Sequence, residues 1–405
     1  MKLMLYSPDS YGLGHVRRSI SLADAILQRN PGSSGLLLTG APRAHYFDYP
    51  ENCDYLKLPS ITKDRNGSYV SRDLDLPPEK VIRMREGMVW LAAASFSPDV
   101  FLVDHSPVGI GGEIVPTLMR LAAGPNKRTT RVLGMRDVID SPDRVRAAWA
   151  RNNVIEILRS GYDRILVYGD PDVFDVVDAY GIPEDVASKL HYVGYIPRTG
   201  NRFAEKAIRE KYAPKTGRLV VVALGGGGDG NTLLSTVLSA YRKLGARKPF
   251  EILAVTGPLM SARKRKRYCT TAGTLAGVSV LEYTDQMPEM FGAADLVVSM
   301  GGYNTICELA CAGANSLIVP RDEPRREQLI RARILRDRGA LSLISGSDLT
   351  AERLMDAMLD GLNRPRSRRD WGLNFGGLDE TATLLSPRST ESARTFGATV
   401  AWGRC

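Results

Sequence analysis

No run of about 20 consecutive apolar residues occurs in the 405-residue chain, so the sequence offers no membrane-spanning helix. The apolar start from Met1 to Tyr6 turns polar at once and is too short for the core of a secretory signal. Cysteine is scarce. Cys53, Cys269, Cys307, Cys311 and Cys405 are odd in number and follow no framework spacing, which excludes a disulfide scaffold and favours a reducing compartment. Cys307 and Cys311 lie one helical turn apart, but no second pair stands near them to complete a zinc site, and they read as small buried residues. Aromatic residues make up 7% and are not interleaved with the basic runs, so no nucleic-acid partner is expected. These absences lead to the expectation of a cytoplasmic protein. What is present is an ordinary globular composition, 43% hydrophobic and 24% charged, with a net charge of +9 that suits an anionic partner.

Short apolar runs alternate with stretches of helical periodicity. In the first half, the runs 3–6, 36–39, 55–58, 100–104, 132–135, 165–168 and 192–193 read as strands. Between the first two, Val16, Ile20, Ala23 and Leu27 fall on one helical face. The turn-rich segment 194–200 interrupts the pattern. Strands then resume at 219–224, 252–255, 278–281, 296–299, 317–319 and 341–344. Strands separated by helices pair in parallel, so the expected class is α/β, with two Rossmann-like domains facing across a cleft. The expected boundaries are 1–197 and 198–365, then a helical segment at 366–385. The tail 386–405 lacks periodicity and is rich in Ser, Thr, Arg and Gly, which predicts disorder.

The stretch from Val297 to Leu309 carries the most chemistry. A buried strand ends at Ser299, Gly301 and Gly302 make a turn, and a helix is expected to start near Asn304 or Thr305. Unpaired amides at such a start form an anion site, and glycines let a diphosphate approach the backbone. Glu308, one turn in, is placed to accept both hydroxyls of a ribose. A second reading stands beside this one: Thr305 and Glu308 also have the spacing of a capping box, in which Glu308 only closes the helix start. About twenty residues on, a strand ends at Pro320 and a polar loop leads to Glu327 and Gln328, an adjacent acceptor and amide that suit sugar hydroxyls.

The order glycine pair, Asn304, Thr305, Glu308 and then Glu327-Gln328 resembles the donor-binding signature of GT-B glycosyltransferases, and within them glycosyltransferase family 28. Element order resembles the family along nearly the whole chain. At motif level the likeness is confined to the N-terminal glycine loop, the glycines after Leu224 and the 295–330 stretch. The resemblance implies a hexosyltransferase that moves N-acetylglucosamine or another hexose from a UDP-sugar to an acceptor hydroxyl, with inversion and without a metal or other cofactor. It implies that Thr305 and neighbouring amides hold the diphosphate, Glu308 the ribose, and Glu327 with Gln328 the transferred sugar. Two departures are visible: Met300 stands where many relatives carry a His or Arg reaching the diphosphate, and Glu327 where the peptidoglycan enzyme of the family has a second Gln.

In the loop after the first strand, Gly12 and Gly14 precede His15 at the start of a helix. There the positive dipole end favours neutral imidazole, the form a general base needs. The resemblance brings this loop to the acceptor and the reacting centre, which makes His15 the candidate base; a purely structural helix-start residue is the other reading. Asp104 ends another strand of the same sheet and is placed to orient His15 or to bind acceptor, or else is capped by its own loop. Gly226, Gly227 and Gly228, in a run of four glycines, imply close backbone approach to the donor phosphate or to the opposing domain. Thr256 ends the next strand and is expected to line the same pocket. The basic run from Arg263 to Arg267 suits peripheral contact with an anionic membrane surface, or a solvated helix face. The acceptor stays unassigned. A sugar-nucleotide hydrolase and a non-catalytic binding protein are the competing readings.

Overall fold

The computed structural model of the chain describes residues 1–8, 14–64, 68–124, 129–246, 248–365 and 370–387. Gly12 and nearly all of the tail, from residue 388 onward, lie outside the described residues.

The first sheet contains β1 (Lys2–Ser7), β2 (Ser34–Thr39), β3 (Cys53–Lys57), β6 (Val100–Asp104), β7 (Thr130–Arg136), β8 (Arg164–Tyr168) and β9 (Leu190–Tyr192) in the order β3-β2-β1-β6-β7-β8-β9, all parallel. A small antiparallel hairpin, β4 (Ile61–Lys63) with β5 (Tyr69–Ser71), sits apart from it. The second sheet contains β10 (Leu219–Ala223), β11 (Glu251–Val255), β12 (Val278–Leu281), β13 (Leu296–Ser299), β14 (Ser316–Ile318) and β15 (Ser342–Leu343). Its order is β12-β11-β10-β13-β14-β15, again all parallel. Helices on both faces bury such strands, which is why every residue of β6, β10 and β11 is buried and all are apolar except Asp104 at the end of β6 and Glu251 at the start of β11. The hairpin strands are three residues each, too short to give a period-2 signal.

Each sheet reverses its winding once. In the first, β1 is flanked by β2 and β6; in the second, β10 is flanked by β11 and β13. At such a switch point the loops after the two neighbouring strands diverge and leave a crevice at the strand ends. His15, at the start of the helix that follows β1, and the end of β6 at Asp104 therefore come together in one domain. In the other, the four-glycine loop after β10 meets the Gly301-Gly302 turn after β13.

The domains share a buried seam. Tyr303 of the second donates its hydroxyl hydrogen to the Tyr168 carbonyl of the first, at 3.0 Å. Arg331 reaches across to Asp137 at 3.0 Å, with both side chains essentially inaccessible, and Tyr195 donates to the same carboxylate at 2.9 Å. The chain crosses between the domains a second time. The helix Gly377–Leu385 packs on the first helix of the chain, Gly14–Arg29, so the C-terminal segment returns to the first domain. The two crossings touch: the Tyr195 amide donates to the Asn374 carbonyl at 2.7 Å. A Cβ on Gly194 would lie 2.8 Å from that same carbonyl oxygen, so only glycine fits there.

Candidate active site

The helix Tyr303–Ala312 begins two residues beyond Gly301, with Gly302 as its N-cap and no side chain capping it. The first turn thus presents backbone amides without a capping acceptor, as an anion site requires. Thr305 is the third helical residue, not the cap, so the capping-box reading fails. Glu308 is buried at 6% exposure, faces a cavity and lies 3.9 Å from Arg198. Burial raises its pKa, against the opposing pull of Arg198 and Arg17.

A cavity of about 240 Å³ lies between the domains. Gly225, Gly226, Gly302, Asn304, Thr305, Glu308, Glu327 and Gln328 line it from the second domain, and Gly14, His15, Arg17, Arg18 and Arg136 from the first. Asn304 spans the gap, its amide donating to the Gly14 carbonyl at 3.1 Å. The side-chain oxygen of Gln328 accepts from the Arg321 amide at 3.1 Å. Glu327 pairs with Arg321 at 2.9 Å through one oxygen, and its other oxygen is buried without a partner. Glu327 is held below the ordinary carboxylate range despite its burial, by Arg321 and then by Arg136.

A second, larger cavity of about 990 Å³ lies on the first domain, lined by His105, Val108, Ile110 and Trp149 and, from the second domain, by Arg325. His15 lines both cavities. Its Nδ1 lies 2.7 Å from Asp104 Oδ2. The carboxylate can only accept, so Nδ1 carries the proton and Nε2 keeps its lone pair. Arg18 clamps the same carboxylate through Nε at 2.9 Å and Nη2 at 2.7 Å, with both side chains about 2% exposed. Burial lowers the His15 pKa, Asp104 opposes this, and the charges of Arg18 and Arg136 push it down further. Burial alone would raise Asp104, but Arg18 and His15 hold it below its ordinary value. The result is a neutral imidazole of fixed tautomer.

Residues 220–370 match the glycosyltransferase family 28 C-terminal domain. A curated relative, the UDP-N-acetylglucosamine–N-acetylmuramyl-(pentapeptide) pyrophosphoryl-undecaprenol N-acetylglucosamine transferase of Mannheimia succiniciproducens, is 30% identical over 155 residues, which is 38% of this chain and 43% of that protein. The chain thus spans less than half the length of that relative. Solved structures of similar fold include MurG of Acinetobacter baumannii (TM-score 0.52, 16% identity, 95% of each chain) and UDP-GlcNAc 2-epimerase of Methanocaldococcus jannaschii (TM-score 0.59, 12% identity, 95% of this chain and 99% of that one). These likenesses show the GT-B fold.

Within this family 28-like frame, most of the sequence-derived site comes together: His15, Gly14, Gly226, Gly302, Asn304, Thr305, Glu308, Glu327 and Gln328 all face the smaller cavity. Asp104 lies buried behind His15 and does not face it. Gly227, Gly228, Thr256 and Gly301 are not among its lining residues. Thr256 is fully buried and its hydroxyl donates to the Leu281 carbonyl at 3.2 Å. Gly301, at φ +79°, shapes the turn against Ile318. A Cβ on Gly227 would lie 2.1 Å from the Thr256 carbonyl oxygen, so this part of the four-glycine run packs backbone to backbone on the next loop of its own domain, while Gly225 and Gly226 line the smaller cavity. Met300 packs against the apolar core of the second domain.

Four arginines of the site, Arg17, Arg18, Arg136 and Arg321, were not singled out from the sequence. No local signal marks them. Arg18 follows His15 by one helical turn, and that spacing was the one available hint. Arg263, Lys264, Lys266 and Arg267 of the basic run are exposed on the helix Ala262–Gly273. Among the described residues no helix is long and apolar enough to cross a membrane, and no three His, Cys, Asp or Glu side chains cluster as a metal site.

Proposed function

We propose that this chain transfers a sugar from a UDP-sugar to an acceptor hydroxyl, with inversion at the anomeric carbon and with no metal or cofactor. The observation that carries the reading is the position of His15, which borders both the donor-side cavity and the larger first-domain cavity while Asp104 holds its tautomer. An acceptor hydroxyl entering from the larger cavity meets Nε2, gives up its proton there, and its oxygen attacks the anomeric carbon from the face opposite the diphosphate. The bond from that carbon to the diphosphate breaks, and the departing charge falls on the amides at the start of the Tyr303–Ala312 helix. Glu308 takes the ribose hydroxyls, and the unpartnered oxygen of Glu327, with Gln328, takes those of the sugar.

The curated relative's name supports a UDP-sugar donor and a lipid-linked acceptor for that protein; the donor is carried over here and the acceptor is left open. A first-domain cavity of about 990 Å³ is far larger than a hydrolytic water needs, which favours transfer over hydrolysis. Exposed basic side chains at 263, 264, 266 and 267 favour docking at an anionic membrane surface, which vesicle co-sedimentation with and without anionic lipid checks. Calorimetric titration with UDP and UDP-N-acetylglucosamine tests the donor half: binding to wild type and loss in Glu308→Ala support it. Undiminished UDP affinity in that variant would sink it.

A further inference from the structure

The pair His15–Asp104 has a third member, Arg18, that ties it to the other domain. Asp104 Oδ2 accepts from His15 Nδ1 at 2.7 Å and from Arg18 Nη2 at 2.7 Å, and those two nitrogens lie 3.1 Å apart. Both carry hydrogen, so they do not bond to each other and instead compete for one carboxylate oxygen. Whatever fixes Arg18 therefore fixes how much of that oxygen His15 receives. Besides its bonds to Asp104, the guanidinium lies against two aromatic rings. These are Tyr168, at the end of β8, and Tyr303 of the second domain, each with its ring centre 5.4 Å from the guanidinium carbon. Arg18, Tyr168 and Tyr303 are 4%, 0% and 3% exposed. A guanidinium within about 6 Å of a ring centre is drawn to the negative face of the ring, most strongly where water is excluded.

Tyr303 is also the first residue of the helix whose uncapped start forms the anion site. Its ring is itself fixed. The hydroxyl donates to the Tyr168 carbonyl at 3.0 Å, the Arg331 guanidinium lies 5.4 Å from the ring centre, and the Tyr195 ring stacks on it at 6.1 Å. Tyr168 is held too, since its ring fills the space that a side chain on Gly134 would take. The start of the donor helix and the first-domain base thus share one side chain. The charged and titratable groups facing His15 are Asp104, Arg18 on its own helix, Arg136 at the end of β7, and His105, stacked on it at 5.0 Å between ring centres. From the second domain, Arg321 and Glu327 line the same cavity.

We propose that Tyr303 is a positioning residue for the base: its ring keeps Arg18 on Asp104, so that seating the donor helix against the first domain sets the state of His15. This rests on the reading of His15 as the base and adds a control to it, since the base is fully assembled only with the two domains closed. The test is nitrogen-15 NMR of the full chain labelled at its four histidines, with His15→Gln assigning the signal. It compares wild type with Tyr303→Phe, Tyr303→Met and Arg18→Lys, each also melted thermally. Tyr303→Phe keeps the ring and should leave the His15 midpoint and its Nδ1–H tautomer as in wild type. Tyr303→Met removes the ring, so Arg18 loosens, Asp104 Oδ2 passes to His15, and water reaches the imidazole. Each of these changes favours the protonated form, and the midpoint should rise by about half a pH unit or more. Arg18→Lys can neither bridge both carboxylate oxygens nor offer a planar group to the ring, so it should show the same rise. It decides the matter if Tyr303→Met does not fold. An unchanged midpoint in Tyr303→Met, or in Arg18→Lys where that variant decides, overturns the proposal, and a lower melting temperature without a rise assigns Tyr303 to packing of the seam. A rise in Tyr303→Phe equal to that in Tyr303→Met overturns it as well, by assigning the effect to the hydroxyl. No nucleotide enters the measurement, so its failure is distinct from failure of the donor reading, which titration with UDP decides.

Discussion

Asp104 has two partners, and replacing it by Asn separates their consequences. The carboxylate fixes the tautomer of His15 at 2.7 Å and neutralises Arg18, which is about 2% exposed. Asp104→Asn leaves the Arg18 guanidinium buried without a counter-charge, at a cost of about 3–5 kcal/mol. For a domain of this size, about 2–4 °C is lost per kcal/mol, so the unfolding transition should fall by about 6–20 °C. His15→Ala keeps the Arg18–Asp104 pair and gives up one hydrogen bond at a partly open position, about 1–2 kcal/mol. His15→Ala removes the base and Asp104→Asn removes the carboxylate that fixes its tautomer, so both should lose about 10²–10⁴ in turnover, read as UDP release in the presence of acceptor. The expected pattern is therefore equal damage to catalysis with unequal damage to stability, scored by differential scanning calorimetry alongside the rate assay. Asp104→Asn melting at or above His15→Ala would refute the buried-pair account. Near-wild-type turnover in His15→Ala would refute the base.

Four further outcomes are expected. His15 must be neutral to accept a proton and its pKa is lowered, so kcat/KM should rise with pH on an acid limb centred below the ordinary histidine value of about 6.5; a limb centred above that value contradicts the environment described. His15 and His105 both have depressed folded pKa values, so their stabilisation is complete above about pH 6.5 and is lost as pH falls towards those values. Urea midpoints at neutral and mildly acid pH should therefore diverge less in His105→Asn, a residue that also tolerates positive φ. Glu308→Gln should weaken UDP by about tenfold or more while leaving 2′,3′-dideoxy-UDP nearly unchanged, and an equal loss for both would remove the ribose assignment. Gly227→Ala should be far more destabilising than Gly225→Ala in thermal melts, because a Cβ at Gly227 meets the Thr256 carbonyl at 2.1 Å whereas at Gly225 nothing lies within 4 Å; similar melts would place the glycine run differently.

Much of the architecture was legible along the chain. Every strand read from an apolar run is present in the two parallel sheets, since strands buried on both faces must be apolar throughout. The glycine turn before Tyr303, the carboxylate at Glu308 and the pair Glu327-Gln328 were visible as well, each a local feature of a strand end or helix start. Gly227 shows where that reading stops: the cost of four glycines announces a close approach, while the identity of the neighbour, the Thr256 loop, comes from the order of β10 and β11.

The sequence by itself determined roughly where the strands of the two sheets lie, and which loops carry glycines, carboxylates and imidazole, because those signals act between residues a few positions apart. Tertiary structure alone decided that Arg18 clamps Asp104 across 86 positions, that Arg331 reaches Asp137 across 194, and that Arg136 lies against the ring of His105 within the field of Glu327. Charge pairing follows from which strand ends the sheets set side by side and how the domains close on each other, and no spacing along the chain encodes that.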